Sequence, residues 1–144
     1  METSDTVNLL KECDAGTKMA VSSIDELIDE VENPKFKNIL VECRDKHTKI
    51  GNKLHKILLQ QDQKDKDPNP IAKGMSWVKT NLKMKMHEDD TTVADLITDG
   101  CNMGVKSLNR YLNQYSKADE TAKSICKELI DLEEKLAVDV RCYL

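Results

Sequence analysis

The stretch PKFKNILVECRDKHTKIGNKLHKILLQ, residues 34–60, carries a clear helical pattern. Its apolar side chains recur at alternating steps of four and three residues, which places them on one face of an α-helix. His47 stands in the same row as these side chains: Phe36, Leu40, Cys43, Ile50, Leu54 and Leu58. Asn33 is a suitable N-cap, and Pro34 fits the first helical turn, where a backbone N–H is not needed. The stretch therefore predicts a long amphipathic helix with a histidine on its buried face.

Comparable spacing on both sides of this stretch predicts four more helices. The full set of expected helices covers about residues 7–31, 34–60, 71–86, 93–115 and 120–143. The chain has 144 residues, which suits one compact domain over 1–144. Aromatic residues make up only 3% of the chain, so the core has to be built from aliphatic side chains, which favour helices. The expected fold class is all-α.

The connection that follows residue 58 decides the expected topology. Residues 59–92 separate the second long helix from the third, and QQDQKDKDPNP (60–70) is polar, charged and closed by prolines. A short loop would make the two helices antiparallel neighbours, whereas this connection can travel the length of a bundle. We therefore expect a four-helix bundle of two αα-hairpins joined by a long crossover that carries the short helix at 71–86.

The two predicted hairpins resemble each other. CDAGTK (13–18) matches CNMGVK (101–106) at an offset of 88, and ILVECRD (39–45) matches ICKELID (125–131) at an offset of 86. At the second offset, His47 corresponds to Glu133. The pattern indicates an internal repeat, although chance similarity between two amphipathic helices would also produce it.

Taken together, these helices and the segments CRDKHTKIGNKLHKIL, GMSWVKTNL and GCNMGVKSLNRYL resemble small, uncharacterised bacterial proteins of the ferritin-like superfamily. The resemblance implies a ferritin-like four-helix bundle that assembles into a homo-oligomer. The resemblance also raises the question of whether this chain has the metal ligands of the superfamily. Ferritin-like enzymes hold two metals with Glu from two helices and Glu-x-x-His from the other two.

That carboxylate cage is not predicted from this sequence. Glu42 precedes His47 by five residues, which puts the two about 140° apart around the helix. Cys13 and Cys101 occupy the central positions where the superfamily has glutamates. We therefore expect a degenerate metal site, no cofactor, and a binding or structural role. Nothing in the chain resembles a phosphate loop or a nucleophile elbow, so catalysis is not expected either.

The alternative is a metal-binding protein with non-standard ligands, which would hold iron or another divalent metal for iron handling or oxygen chemistry. The candidate ligands are His47, Glu133, Cys43, Cys101 and Cys126. The competing interpretation is that the cysteines pack as small hydrophobes and that His47 is held by Glu133 or by a backbone carbonyl. Gly16 and Gly104, at matching mid-helix positions, indicate either close helix approach or space for a small ligand.

The predicted short helix at 71–86 is basic and amphipathic. It offers a possible contact for a partner or a membrane through five side chains, Lys73, Trp77, Lys79, Lys83 and Lys85. The favoured interpretation is a cover for the bundle, packed by Ile71, Met75, Val78 and Leu82, so a membrane partner is not expected. The sequence does not identify a protein partner.

The charge pattern, the N-terminal residues and the cysteines limit the expected partners and location of the protein. The net charge of −4 with interspersed signs gives no footprint for nucleic acid. METSDTVNLL lacks a basic start and an apolar run, so no signal peptide is expected, and no apolar stretch approaches the ~20 residues of a membrane span. The five cysteines match no disulfide framework, which favours reduced thiols and a cytoplasmic location.

Overall fold

A computed structural model describes residues 4–61, 63 and 89–144, and the regular structure within these ranges is helical. The four α-helices are α1 (Ser4–Leu27), α2 (Pro34–Gln60), α3 (Asp90–Gln114) and α4 (Glu120–Asp139). Single turns of 3₁₀-helix follow α1 and α4, at Ile28–Glu30 and Arg141–Tyr143. The all-α class with four long helices is confirmed. The predicted short helix at 71–86 lies outside the described residues.

The ends of the helices follow from their capping residues. Asn33 accepts hydrogen bonds from the N–H groups of Lys35 and Phe36, as its place before Pro34 indicates. Asp89 accepts from the N–H of Thr92, so α3 begins at Asp90, earlier than the apolar spacing suggests. The first and last predicted helices end earlier than expected because their final turns tighten into 3₁₀ geometry.

The turn between α1 and α2 is attached to the start of α3. The Asp90 carboxylate accepts hydrogen bonds from the N–H of Glu32 at 2.8 Å and from the N–H of Asn33 at 3.0 Å. These two N–H groups have no partner within their own helices, because Asn33 is the N-cap of α2. The contact places the first turn of α3 at the end of the bundle where α1 ends and α2 begins.

The opposite end of the bundle has a matching attachment. Asp5 accepts a hydrogen bond from the N–H of Lys117 at 3.0 Å, and the hydroxyl of Thr6 accepts one from the N–H of Asp119 at 2.8 Å. The start of α1 therefore lies beside the turn between α3 and α4. It follows that α2 and α3 run in the same direction, and that Gln61 and Asp89 lie at opposite ends of the bundle.

Two groups of buried hydrophobic side chains form the core. One group surrounds Leu27, Phe36 and Leu96 near the α1–α2 turn, and the other surrounds Leu9 and Leu54 near the α3–α4 turn. Each such side chain contributes roughly 1.5–3 kcal/mol when it leaves water. His47 belongs to neither group and lies halfway along α2. A buried polar residue therefore lies at the centre of the bundle.

Candidate functional site: a polar pair beside a cavity

The ring of His47 is held on both sides. Its side chain is only 1% exposed, and its Nδ1 lies 2.8 Å from the backbone oxygen of Cys43, one turn earlier on α2. Its Nε2 lies 3.2 Å from Oε1 of Glu133 on α4. Both partners suggested by the sequence, the glutamate and a backbone carbonyl, are present.

These contacts determine the number of protons at the site. The carbonyl of Cys43 can only accept, so Nδ1 of His47 carries a hydrogen. Nε2 faces a carboxylate oxygen of Glu133, so a second proton lies between Nε2 and Oε1. Burial lowers the pKa of His47, but the side-chain hydrogen bonds with Cys43 and Glu133 outweigh burial and raise this pKa to about 10. Near neutral pH the ring of His47 is an imidazolium.

Two of the predicted thiols surround this pair. The Sγ of Cys43 lies 3.4 Å from Nδ1 of His47. Cys101 reaches Glu133 from α3, and burial followed by the charge of Glu133 raises the pKa of its thiol, which stays protonated and donates to the carboxylate. Four of the five candidate ligands, one from α3, one from α4 and two from α2, therefore come together.

Cys126 lies elsewhere. Its thiol donates to the backbone oxygen of Leu108 at 3.6 Å, in the core group near the α3–α4 turn. Its neighbour is Cys13, whose thiol pKa is raised by the hydrogen bond with Cys126 and by burial. Cys13 and Cys126 thus form a second buried thiol pair, separate from His47.

Within the residues that the structure describes, no group of three or more His, Cys, Asp or Glu side chains has the arrangement needed to hold a metal ion. Glu42 is exposed whereas His47 is buried, so these two residues do not share a site. This separation follows from their five-residue spacing on α2.

A cavity of about 500 Å³ lies beside the polar pair. Helices α1 and α3 form most of its wall, and His47 and Glu133 contribute from α2 and α4. Aliphatic and small residues dominate the lining, which includes Ala15, Met19, Ala20, Ile24, Leu27, Leu96, Ile97, Leu108, Leu129 and Leu136. Gly16 and Met103 lie on its exposed rim.

The cavity is long and narrow. Its lining residues on α1 extend from Glu12 to Leu27, and those on α3 extend from Leu96 to Tyr111. Fifteen residues of helix correspond to roughly 22 Å. The shape is that of a slot parallel to the helices.

Two glycine residues leave open space in the wall of the slot. A Cβ atom added at Gly16 would have no neighbour within 4 Å, and one added at Gly104 would meet only the side chain of Glu133, at 3.5 Å or more. Of the two interpretations of these glycines, space for a ligand agrees with the geometry, and close helix approach at Gly16 is wrong. Close approach occurs instead at Gly51, where an added Cβ would lie 3.1 Å from Cγ2 of Thr17. The sequence feature that could have predicted this close approach is the position of Gly51 beside Ile50 on the buried face of α2.

The five candidates for partner or membrane contact, Lys73, Trp77, Lys79, Lys83 and Lys85, lie outside the described residues. Among residues 4–61, 63 and 89–144, no helix combines the length and the apolar character that crossing a bilayer requires.

Comparison of the chain with protein-family models, with curated proteins and with solved structures gives no match.

Proposed function

We propose that this chain is a ferritin-like bundle that binds a small molecule in the slot between α1 and α3 and has no carboxylate cage for two metals. The observation that carries the proposal is the cavity itself, about 500 Å³ of mostly apolar space with a polar pair on its wall. Small-molecule sites in proteins have this character, an apolar cleft with a few convergent polar groups.

The direction of the helices supports the ferritin-like part of the proposal. Because α2 and α3 run in the same direction, the segment between Gln61 and Asp89 has to join opposite ends of the bundle. A single long connection of this kind separates ferritin-like bundles from simple up-and-down bundles. Self-association belongs to the same proposal, since ferritin-like bundles often assemble. Light scattering should then give a multiple of the 16.3 kDa chain mass, and a monomer at every concentration would contradict it.

A binding experiment tests the cavity. A neutral apolar probe, n-decanol, is titrated into the protein and followed by NMR shifts of amides along α1 and α3. Gly16→Leu adds a large side chain at the rim of the slot, where an added Cβ would have no neighbour within 4 Å. We expect this variant to weaken binding by about tenfold or more, the equivalent of about 1.4 kcal/mol.

Ser22→Leu is the matched control. Ser22 is an exposed residue of the same helix and does not line the cavity. Its variant should bind n-decanol within about twofold of the wild type. Absence of any binding to the wild-type protein, or equal binding by the two leucine variants, would contradict the proposal.

A metal site with non-standard ligands is the competing proposal, and the convergence of Cys43, His47, Cys101 and Glu133 is what favours it. The protein is purified from medium that contains iron, manganese and zinc, and bound metal is measured by mass spectrometry. Stoichiometric metal that is lost on His47→Ala would favour this second proposal over the first.

A further inference from the structure

The wall of the slot is acidic where it is charged. Among the lining residues that the structure describes, Glu12 and Glu133 are acids, His47 is already paired, and lysine and arginine are absent. The remainder of the lining is apolar or small, apart from neutral polar groups such as Ser23, Ser107 and Tyr111. Among the described lining residues, an anionic ligand would thus find His47 as the one basic side chain, and His47 is already paired with Glu133.

The Glu133 carboxylate presents an acceptor to the cavity. Its Oε1 contacts Nε2 of His47, and its Oε2 lies 3.7 Å from the position that a Cβ on Gly104 would take. Because Gly104 has no side chain, the space beside Oε2 is open at this position of α3. A carboxylate oxygen has two lone pairs, so Oε2 can accept from a ligand even where the thiol of Cys101 also donates to this carboxylate.

The proton shared between His47 and Glu133 leaves Oε2 of Glu133 as an acceptor only. Nδ1 of His47 donates to the carbonyl of Cys43, so the second proton lies between Nε2 and Oε1. With this proton between Nε2 and Oε1, Oε2 of Glu133 carries none. A ligand carboxylate at this point would place two acceptors face to face, which repel each other and leave both unsatisfied.

We infer that the slot takes an elongated, mostly apolar molecule whose polar group is a hydrogen-bond donor, an alkyl amine, which binds Oε2 of Glu133. This inference rests on the proposed function, because it names the ligand class of the same cavity. The apolar chain lies along α1 and α3, and the ammonium group donates to Glu133 beside Gly104. An alkyl carboxylate of the same length is rejected.

The test uses three ligands of equal chain length, n-decylamine, n-decanol and n-decanoate, in calorimetric titrations below their micelle-forming concentrations. We expect the amine to bind the wild-type protein at least about tenfold more tightly than the carboxylate, since the amine donates to Oε2 whereas the carboxylate would set one acceptor against another. Glu133→Gln, which removes the charge and keeps the size, should reduce this preference to within about threefold while decanol affinity changes little.

Glu134→Gln is the matched control, because Glu134 is the next residue on α4 and is exposed. It should keep the wild-type preference. Gly104→Ala gives a second route if Glu133→Gln fails to fold. Its methyl group would lie 3.7 Å from Oε2, an ordinary contact that covers this oxygen and leaves its charge in place. This variant should also lose the preference for the amine.

The outcomes distinguish failure of the proposed ligand class from failure of the proposed function. Decanoate that binds the wild-type protein as tightly as decylamine overturns the ligand class, even if decanol binding supports the cavity. Retention of the amine preference by Glu133→Gln overturns the role of Glu133. If none of the three ligands binds, the proposed function itself fails.

Discussion

At the scale of single residues, His47 shows how an ionisable group becomes part of an aliphatic core. Burial alone would keep its ring neutral, because a charge loses its hydration there. Two acceptors in fixed positions, the side chain of Cys43 and the carboxylate of Glu133, reverse that preference. The first acceptor belongs to the same helix and the second to another, so both helix formation and bundle packing are needed to hold the charge.

This charge predicts how stability depends on pH. The pKa of His47 rises from 6.5 in the unfolded chain to about 10 in the folded protein, so between these values the folded state retains a proton that the unfolded state has lost. The contribution of His47 is complete below pH 6.5 and falls as the pH rises towards about 10. At about 1.4 kcal/mol per pKa unit, the loss is of the order of a few kcal/mol. Denaturant unfolding of the wild type and of His47→Gln across this range measures it.

The difference in unfolding free energy between wild type and His47→Gln should therefore shrink with increasing pH. His55→Gln is the control, since His55 is an exposed residue of the same helix. A reducing agent keeps the cysteines equivalent in all samples. A constant difference from pH 6.5 to 10 would show that His47 is not protonated in the folded state.

A second prediction at the residue scale concerns the stability of two glycine variants. Replacement of glycine by alanine within a helix stabilises a protein by roughly 0.5–1 kcal/mol when the added methyl group has room. Gly16→Ala has that room, whereas in Gly51→Ala the methyl group would lie 3.1 Å from Cγ2 of Thr17. The hydroxyl of Thr17 donates to the backbone oxygen of Cys13 at 2.8 Å, which holds the side chain in place. Thermal unfolding should show a gain for Gly16→Ala and a smaller gain or a loss for Gly51→Ala; the reverse order would contradict the packing described.

At the scale of elements, the α1–α2 pair and the α3–α4 pair are joined by side chains in the first turns of α1 and α3. Each first turn supplies acceptors for backbone N–H groups in the turn of the other pair. Those N–H groups precede the first complete turn of a helix and would otherwise lack an intrahelical partner. The same contacts thus complete the start of one helix and set the position of another.

The attachment at Asp90 predicts a measurable loss of stability. Asp90→Ala removes both acceptors of the N–H groups of Glu32 and Asn33, and it should lower the free energy of unfolding by about 1–2 kcal/mol. Asp99→Ala, at an exposed position further along α3, should change it by less than about 0.5 kcal/mol. Equal effects of the two substitutions in denaturant unfolding would indicate that the contact contributes little.

At the scale of the whole molecule, the helices follow an approximate two-fold arrangement. α1 and α3 run in opposite directions, as do α2 and α4, and the attachments at Asp90 and at Asp5 lie at opposite ends. His47 and Glu133 contact each other and are 86 residues apart, which is the offset at which the two hairpin sequences match. Contact between equivalent residues is expected where a two-fold axis passes through the centre of a bundle. The slot between α1 and α3 lies beside the same point.

Occupancy of the slot should stabilise the whole bundle. A ligand that binds only the folded state adds about 2.7 kcal/mol to the free energy of unfolding at one hundred times its dissociation constant. n-Decylamine should therefore raise the thermal midpoint of the wild-type protein and leave that of Gly16→Leu almost unchanged. An equal rise in both proteins would place the binding outside the slot.

The sequence by itself determined the local features of this protein. The all-α class, the span of α2, the cap at Asn33 and the buried row that contains His47 depend on helical periodicity and on contacts between residues a few positions apart. Such interactions are complete within one segment, so a single sequence is sufficient to predict them. The ends of α1 and α4 were less predictable, because their last turns depend on what packs against them.

Only the tertiary structure decided which side chains meet and where space remains. Cys126 shares the helical pattern of the other candidate ligands, yet the register of α4 against α1 places it beside Cys13 rather than beside His47. The slot likewise depends on how α1, with Gly16, and α3, with Gly104, pack in the bundle, since these two helices are far apart in the sequence. Distances between helices are set by packing over the entire bundle, and the pattern along one helix does not contain them.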